Sequence, residues 1–231
     1  MENLKDVQVG EIVTRDFRAA EIFKAAGIDF CCGGAQSLGD VCKEKELDLD
    51  FLEQELIQLA QTPTSENHNF KDWSLDFLCD YIQNTHHKTV LRLLPQLVEY
   101  TRKIAEVHGA HHPELLTIAK MFVEINAELL QHLRHEEEVL FPAIKEVLKS
   151  GSAEAKADVI SEITRMKGEH EFAGGAMDKI NVLSGNYQVP ADGCSTYEVT
   201  YKLLEQFEDD LHVHVHLENN ILYPKALSLS N

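Results

Sequence analysis

No apolar run in this chain approaches the about 18–20 residues that a membrane span requires, and its opening, MENLKDVQVGEIVTRDF, shows no basic stretch followed by an apolar one. The expectation is a cytoplasmic protein with no membrane partner. Basic residues are scarce: 21 Lys and Arg face 39 Asp and Glu, a formal charge of -18 that repels phosphate backbones and excludes nucleic acid as a partner. Cysteine is sparse and irregular. The five (Cys31, Cys32, Cys42, Cys79, Cys194) form an odd set without a CxxC pair or a disulfide framework, which fits a reducing compartment. Strand-like alternation is almost missing from the C-terminal two thirds, so an all-α fold is expected.

Histidine is abundant, at 12 in 231 residues, and it clusters on helical stretches. Neutral imidazole is the commonest metal ligand, so composition already points to a metal. The polar segment Gln61 to Asp72 (QTPTSENHNFKD) lacks periodicity and is expected to be a linker at 61–72. It divides the chain into a small helical module, 1–60, with amphipathic stretches around Thr14–Ala26 and Leu49–Leu59, and a larger part, 73–231. Four long helical stretches follow: Ser74 to Val107, kinked at Pro95; Pro113 to Leu148; Glu154 to Leu183; and one capped by Ser195 with Glu198 as a capping box. Short loops between them imply an antiparallel four-helix bundle.

On the second helix, the stripe Ile118, Phe122, Ile125, Leu129, Leu133, Leu140 also carries His132 and Glu136. Of Glu136-Glu137-Glu138 only Glu136 faces inward, and a bare buried carboxylate is too costly unless something positive meets it. The fourth helix repeats the step, because His132-x3-Glu136-x2-Val139-Leu140-Phe141-Pro142 matches His214-x3-Glu218-x2-Ile221-Leu222-Tyr223-Pro224. The third helix places His170 on the stripe of Val159, Ile163, Met166, Ala173 and Met177. On the first helix, simple phase from Leu75, Ile82 and Leu93 favours His86, whereas repeat spacing favours His87: 44 residues separate His170 from His214, and 45 separate His87 from His132. Pro95 weakens the phase argument, and His87 is the choice.

A lone core histidine is more often packing than ligand, but six residues in one layer with repeated spacing are not independent accidents. The candidate ligands are therefore His87, His132, Glu136, His170, His214 and Glu218, two imidazoles to each of two ions with both glutamates able to bridge. Imidazole and carboxylate without thiolate suit iron first, then manganese and zinc. Asp210 is a candidate acceptor for a ligand ring N–H, and Glu128 and Glu169 are candidates to line a polar path to the site. His68, His108, His111, His112, His135, His212 and His216 are read as surface or loop residues, His216 being the one whose place beside Glu218 argues otherwise.

The chain resembles the di-iron RIC proteins (repair of iron centres), which are hemerythrin-like. The likeness runs through Asp29-Phe30-Cys31-Cys32-Gly33-Gly34, His87 ahead of Leu94-Pro95, His132-x3-Glu136-Glu137, Glu169-His170-Glu171 before Ala173-Gly174, and His214-x3-Glu218-Asn219-Asn220. It covers nearly the whole chain and implies the same six ligands. It further implies two non-haem iron ions with carboxylate and oxo or hydroxo bridges, repair of iron–sulfur clusters damaged by nitric oxide or peroxide, damaged iron–sulfur proteins as partners, and a homodimer. Cys31 and Cys32, on a glycine turn, are either a redox or iron-transfer pair or a tight turn with one buried cysteine; the resemblance favours the former. Three functions remain: an iron-supplying repair factor, a nitric oxide or dioxygen binder, and an enzyme such as a nitric oxide reductase.

Overall fold

The computed structural model describes residues 4–62 and 69–230. Among them, secondary structure is helical apart from one isolated bridge, Gln8 to Ser37. No described helix is long and apolar enough to cross a membrane. Four short helices form the N-terminal part: α1 Val9–Arg15, α2 Ala19–Ala25, α3 Leu38–Glu44 and α4 Leu49–Gln61. The expected single stretch from Thr14 to Ala26 is broken at residues 16–18. There Asp16 accepts from the backbone N–H and the guanidinium of Arg18, a local bond that competes with the helical ladder. Residues 63–68 of the expected linker, His68 included, lie outside the described residues. Phe70–Asp72 form a short 3-10 turn whose Phe70 is buried against Phe17 and Trp73.

The bundle's first helix comprises α5 Leu75–Ile82, a π-helical turn Gln83–His87 and α6 Lys88–His108, which continues through Pro95. The second comprises α7 Glu114–His135, a π turn Glu136–Leu140 and α8 Phe141–Ser150. The third is one uninterrupted helix, α9 Ala153–Leu183, capped by Ser152. The fourth comprises α10 Ser195–Leu217, a π turn Glu218–Leu222 and α11 Tyr223–Ser230. Cys194, not Ser195, occupies the cap of α10, and Glu198 pairs with Lys202 instead of closing a capping box. Around the bundle α6 packs on α7 and α10, and α9 closes the ring on the other side against α7, α8, α10 and α11.

Each of the last two π turns ends just before a helix with proline as its second residue, Pro142 or Pro224. Proline lacks the N–H that would continue the regular ladder, so the repeated Leu-(Phe/Tyr)-Pro motif gives a physical reason for a wide turn there. Buried apolar side chains form two clusters. One joins the N-terminal helices to residues such as Leu93, Phe122, Met177 and Phe207; the other holds Leu78, Ile82, Phe141, Met166 and Tyr223. The polar layer lies where one cluster gives way to the other.

Candidate metal centre

All six expected ligands sit in that layer and are sealed from solvent, none more than 2% exposed. Their donor atoms form two groups, His87, Glu136, His214, Glu218 and His132, Glu136, His170, Glu218, and within each group the atoms lie within 4.8 Å of one another. The two groups share both glutamates. His170 Nε2 and His132 Nε2 approach to 3.2 Å. Glu136 Oε2 lies 3.3 Å from the Nε2 atoms of both His87 and His132. Glu218 reaches His214 Nε2 with Oε1 at 3.2 Å and His170 Nε2 with Oε2 at 3.1 Å.

The donor set fits cations. His87 Nε2, Glu136 Oε2, His214 Nε2 and both oxygens of Glu218 are buried without a hydrogen-bond partner, an arrangement that costs several kcal/mol of desolvation, on the order of 2–7 kcal/mol per polar group, unless something positive meets it. Burial alone would raise the Glu136 carboxyl; the His132 and His87 rings outweigh it and hold it below the ordinary carboxylate range. Burial likewise works to lower His132, but Glu136 overrides it and lifts the ring to about 10. His214 faces less compensation, and burial leaves its pKa lowered.

The rings are held from behind. His87 Nδ1 donates to Glu137 Oε1 at 2.8 Å, His132 Nδ1 to Glu169 Oε2 at 2.7 Å, and His170 Nδ1 to Asn219 Oδ1 at 3.1 Å. In the neutral rings that a metal requires, such bonds keep the proton on Nδ1 and leave Nε2 free. His132 and Arg165 together draw the Glu169 carboxyl down to about 2. Of the three residues expected around the site, Glu169 thus backs the candidate ring of His132, whereas Glu128 is exposed on α7. Asp210 takes its bond from His86 Nδ1 at 3.0 Å, not from His214, whose Nδ1 has no partner. His86 is buried too, stacked on His214 with centroids 5.7 Å apart, but it belongs to neither four-residue group.

Glu137 and Asn219 were not expected. A π turn holds about one residue more than an α turn, so it advances the phase that a regular helix would give. That rotation carries Glu137 beneath His87, and on the first helix it brings His87 into the layer beside His86.

His216 is fully buried, which corrects its reading as a surface residue. It lies under the N-terminal part, against Phe30 and Phe17, and burial pushes its pKa down to about 4. Asn220, one turn further, donates to the carbonyls of Phe30 and Cys31 at 3.2 and 3.1 Å. Gly10 and Gly34 make room for it, since a Cβ on either would lie 2.4 or 2.5 Å from Asn220 Oδ1. The Cys31–Cys32 turn is built around Asp29, whose carboxylate accepts from the backbone N–H groups of Cys31, Cys32 and Gly33. The two sulfurs are 3.9 Å apart and unbonded. The neighbouring Cys32 sulfur and burial keep Cys31 in its thiol form. Asn219 bridges this turn to the buried donor layer, donating to Cys31 O at 3.4 Å while it holds His170.

Two family models match the chain, one in each part. Residues 5–60 match the model of a domain of unknown function, ScdA_N (DUF542), and residues 80–226 match the hemerythrin HHE cation-binding domain. The chain is 32% identical over 223 residues to the iron–sulfur cluster repair protein ScdA of Staphylococcus epidermidis, covering 96% of this chain and 98% of that protein. It is 34% identical over 227 residues to the iron–sulfur cluster repair protein YtfE of Enterobacter sp. strain 638, covering 97% and 98%. The YtfE of Escherichia coli O81 is 33% identical over 227 residues, again covering 97% and 98%.

Proposed function

Since the chain belongs to the hemerythrin HHE cation-binding family and, over nearly its full length, to the iron–sulfur cluster repair proteins, we propose that it repairs damaged iron–sulfur clusters by supplying iron from a two-iron site. One observation carries this reading: two groups of His and Glu donors, sharing both glutamates, are sealed in one layer with His87 Nε2, His214 Nε2, Glu136 Oε2 and both Glu218 oxygens left without a hydrogen-bond partner. His87 and His214 would hold one ion, His132 and His170 the other, and Glu136 and Glu218 would serve both.

When bound, iron supplies Lewis acidity and one-electron chemistry at the layer, and is itself the cargo of repair. The side chains do the rest. Glu137, Glu169 and Asn219 fix three rings with Nε2 inward, and the two apolar clusters exclude bulk water. Nitrogen and carboxylate donors without thiolate hold divalent iron low in the affinity order, so a reduced site suits delivery. Cys31 and Cys32, one hydrogen-bonded residue from His170, are the proposed thiols for redox coupling or hand-over; Cys32 is the accessible one.

The partners under this reading are damaged iron–sulfur proteins, with the protein acting as a cytoplasmic homodimer; the five cysteines are all free, which suits a reducing compartment. Sedimentation of the loaded protein reads the dimer. The test of function mixes reduced protein with an apo iron–sulfur enzyme, sulfide and thiol. Activity should return faster than with oxidised protein, and His132→Ala, which breaks one of the two donor groups, should restore markedly less than wild type. Equal performance by wild type and mutant contradicts delivery. Each ion would have only four side-chain donors, which leaves room for a diatomic ligand and supports the alternative, a nitric oxide or dioxygen binding or reducing protein. Nitric oxide consumption that proceeds with an electron donor while no iron leaves the protein would favour it.

A further inference from the structure

The two copies of the repeat differ at one aromatic position. Phe141 and Tyr223 occupy matching places, each just before its proline, and both are buried. Each lies nearly parallel to a candidate ligand ring: Phe141 to His87, with centroids 5.6 Å and planes 19° apart, and Tyr223 to His170, at 5.9 Å and 3°. Only Tyr223 carries a hydroxyl. It donates to Glu136 Oε1 at 2.8 Å, and in this dry layer that bond is obligatory, because a buried hydroxyl needs an acceptor.

The bond makes the two shared glutamates unlike. Glu218 has both oxygens free and spreads them, Oε1 toward His214 and Oε2 toward His170, one to each ion position. Glu136 has one oxygen engaged by the phenol. Its other oxygen, Oε2, is free and stands 3.3 Å from the Nε2 atoms of both His87 and His132, which belong to different positions.

We propose that Tyr223 is a positioning residue that keeps Glu136 bridging the two ions through the single oxygen Oε2, while Glu218 bridges through both of its oxygens. This rests on the two-iron reading above. The hydroxyl occupies a lone pair on Oε1 that would otherwise turn toward an ion, so removing it frees Glu136 to adopt the mode of Glu218. The roles of the two repeat copies are set by one oxygen atom.

The test uses full-length protein loaded with iron, with metal content measured first in the same samples. Infrared spectra with 13C-labelled glutamate read the binding modes. Wild type should show two distinct sets of metal-bound carboxylate bands, and Tyr223→Phe, which removes only the hydroxyl, should keep its iron while the two sets merge into one. A merely structural role for Tyr223 would shift melting temperature without moving these bands. Full loading with a Tyr223→Phe spectrum identical to wild type, or a crystal structure of the loaded wild type with both Glu136 oxygens on iron, overturns the proposal alone. A wild type that takes up no metal overturns the two-iron reading and the proposal together.

Discussion

The two copies of the His-x3-Glu repeat face the same layer but opposite surroundings. After Glu136 come Glu137, half-buried behind His87, and the exposed Glu138; after Glu218 come Asn219 and Asn220, whose side chains enter the Cys31–Cys32 turn. The outward histidines differ likewise: His135 pairs with Glu162 at 2.6 Å near the surface, while His216 is sealed beneath Phe30. Inward positions carry the candidate donors in both copies and stay alike. Outward positions are constrained by what covers them, so the first copy carries charge and the second carries amides that satisfy loop carbonyls.

The deepest cut into this comparison removes what the copies share. Glu136 and Glu218 each belong to both donor groups, so Glu136→Ala or Glu218→Ala should lose most of the metal, while a single histidine variant spares the other group. Metal analysis after desalting checks this, and near-full occupancy in both glutamate variants contradicts the shared role. On the first helix, His87→Ala should lose metal and His86→Ala should retain it, because only His87 lies in a donor group; the reverse outcome would return the ligand role to His86.

How much of this was legible follows from where the helices are regular. On α9, which is unbroken, the apolar stripe placed His170 directly. Where π turns intervene, phase alone does not separate neighbours: it favoured His86, which is buried beside His87, and turned Glu137 outward, whereas the spacing of the repeat pointed to His87, the one that lies in a donor group. Nothing in local composition announces a π turn apart from the prolines that follow two of them. The docking of the N-terminal part was hidden for another reason. His216 and Asn220 are one turn apart on one face, a pattern the sequence contains, but its meaning needs Gly10 and Gly34, which come from a distant segment.

A smaller effect separates the copies. Gly34→Ala would put a methyl 2.5 Å from Asn220 Oδ1 and 2.7 Å from Phe30 O, so it should cost about 1–3 kcal/mol as overpacking does. Thermal melting should show that loss with metal content unchanged. Residues 73–231 alone should melt lower still, since they leave the shared apolar cluster uncovered, yet keep all six ligands and hence the metal. Loss of metal from this fragment would place the cysteine turn inside the site.

The smallest effect concerns pH on the fourth helix. Burial pushes Glu208, which accepts from Asn181, up to about 7. Its unfolded value is lower, so the stability it contributes is present below about pH 4.5 and is lost as pH rises toward 7. Glu208→Gln should flatten that slope in denaturant unfolding measured across the window, and an unchanged slope contradicts the assignment.

The central claim is that one buried layer holds two ions by way of two unlike surroundings. Anomalous diffraction at the iron edge from crystals of the purified, iron-loaded protein tests it most directly. Two peaks are expected, one among His87, His214 and the glutamates and one among His132, His170 and the same glutamates. A single peak, or iron bound at Cys31 and Cys32 with the layer empty, would contradict it.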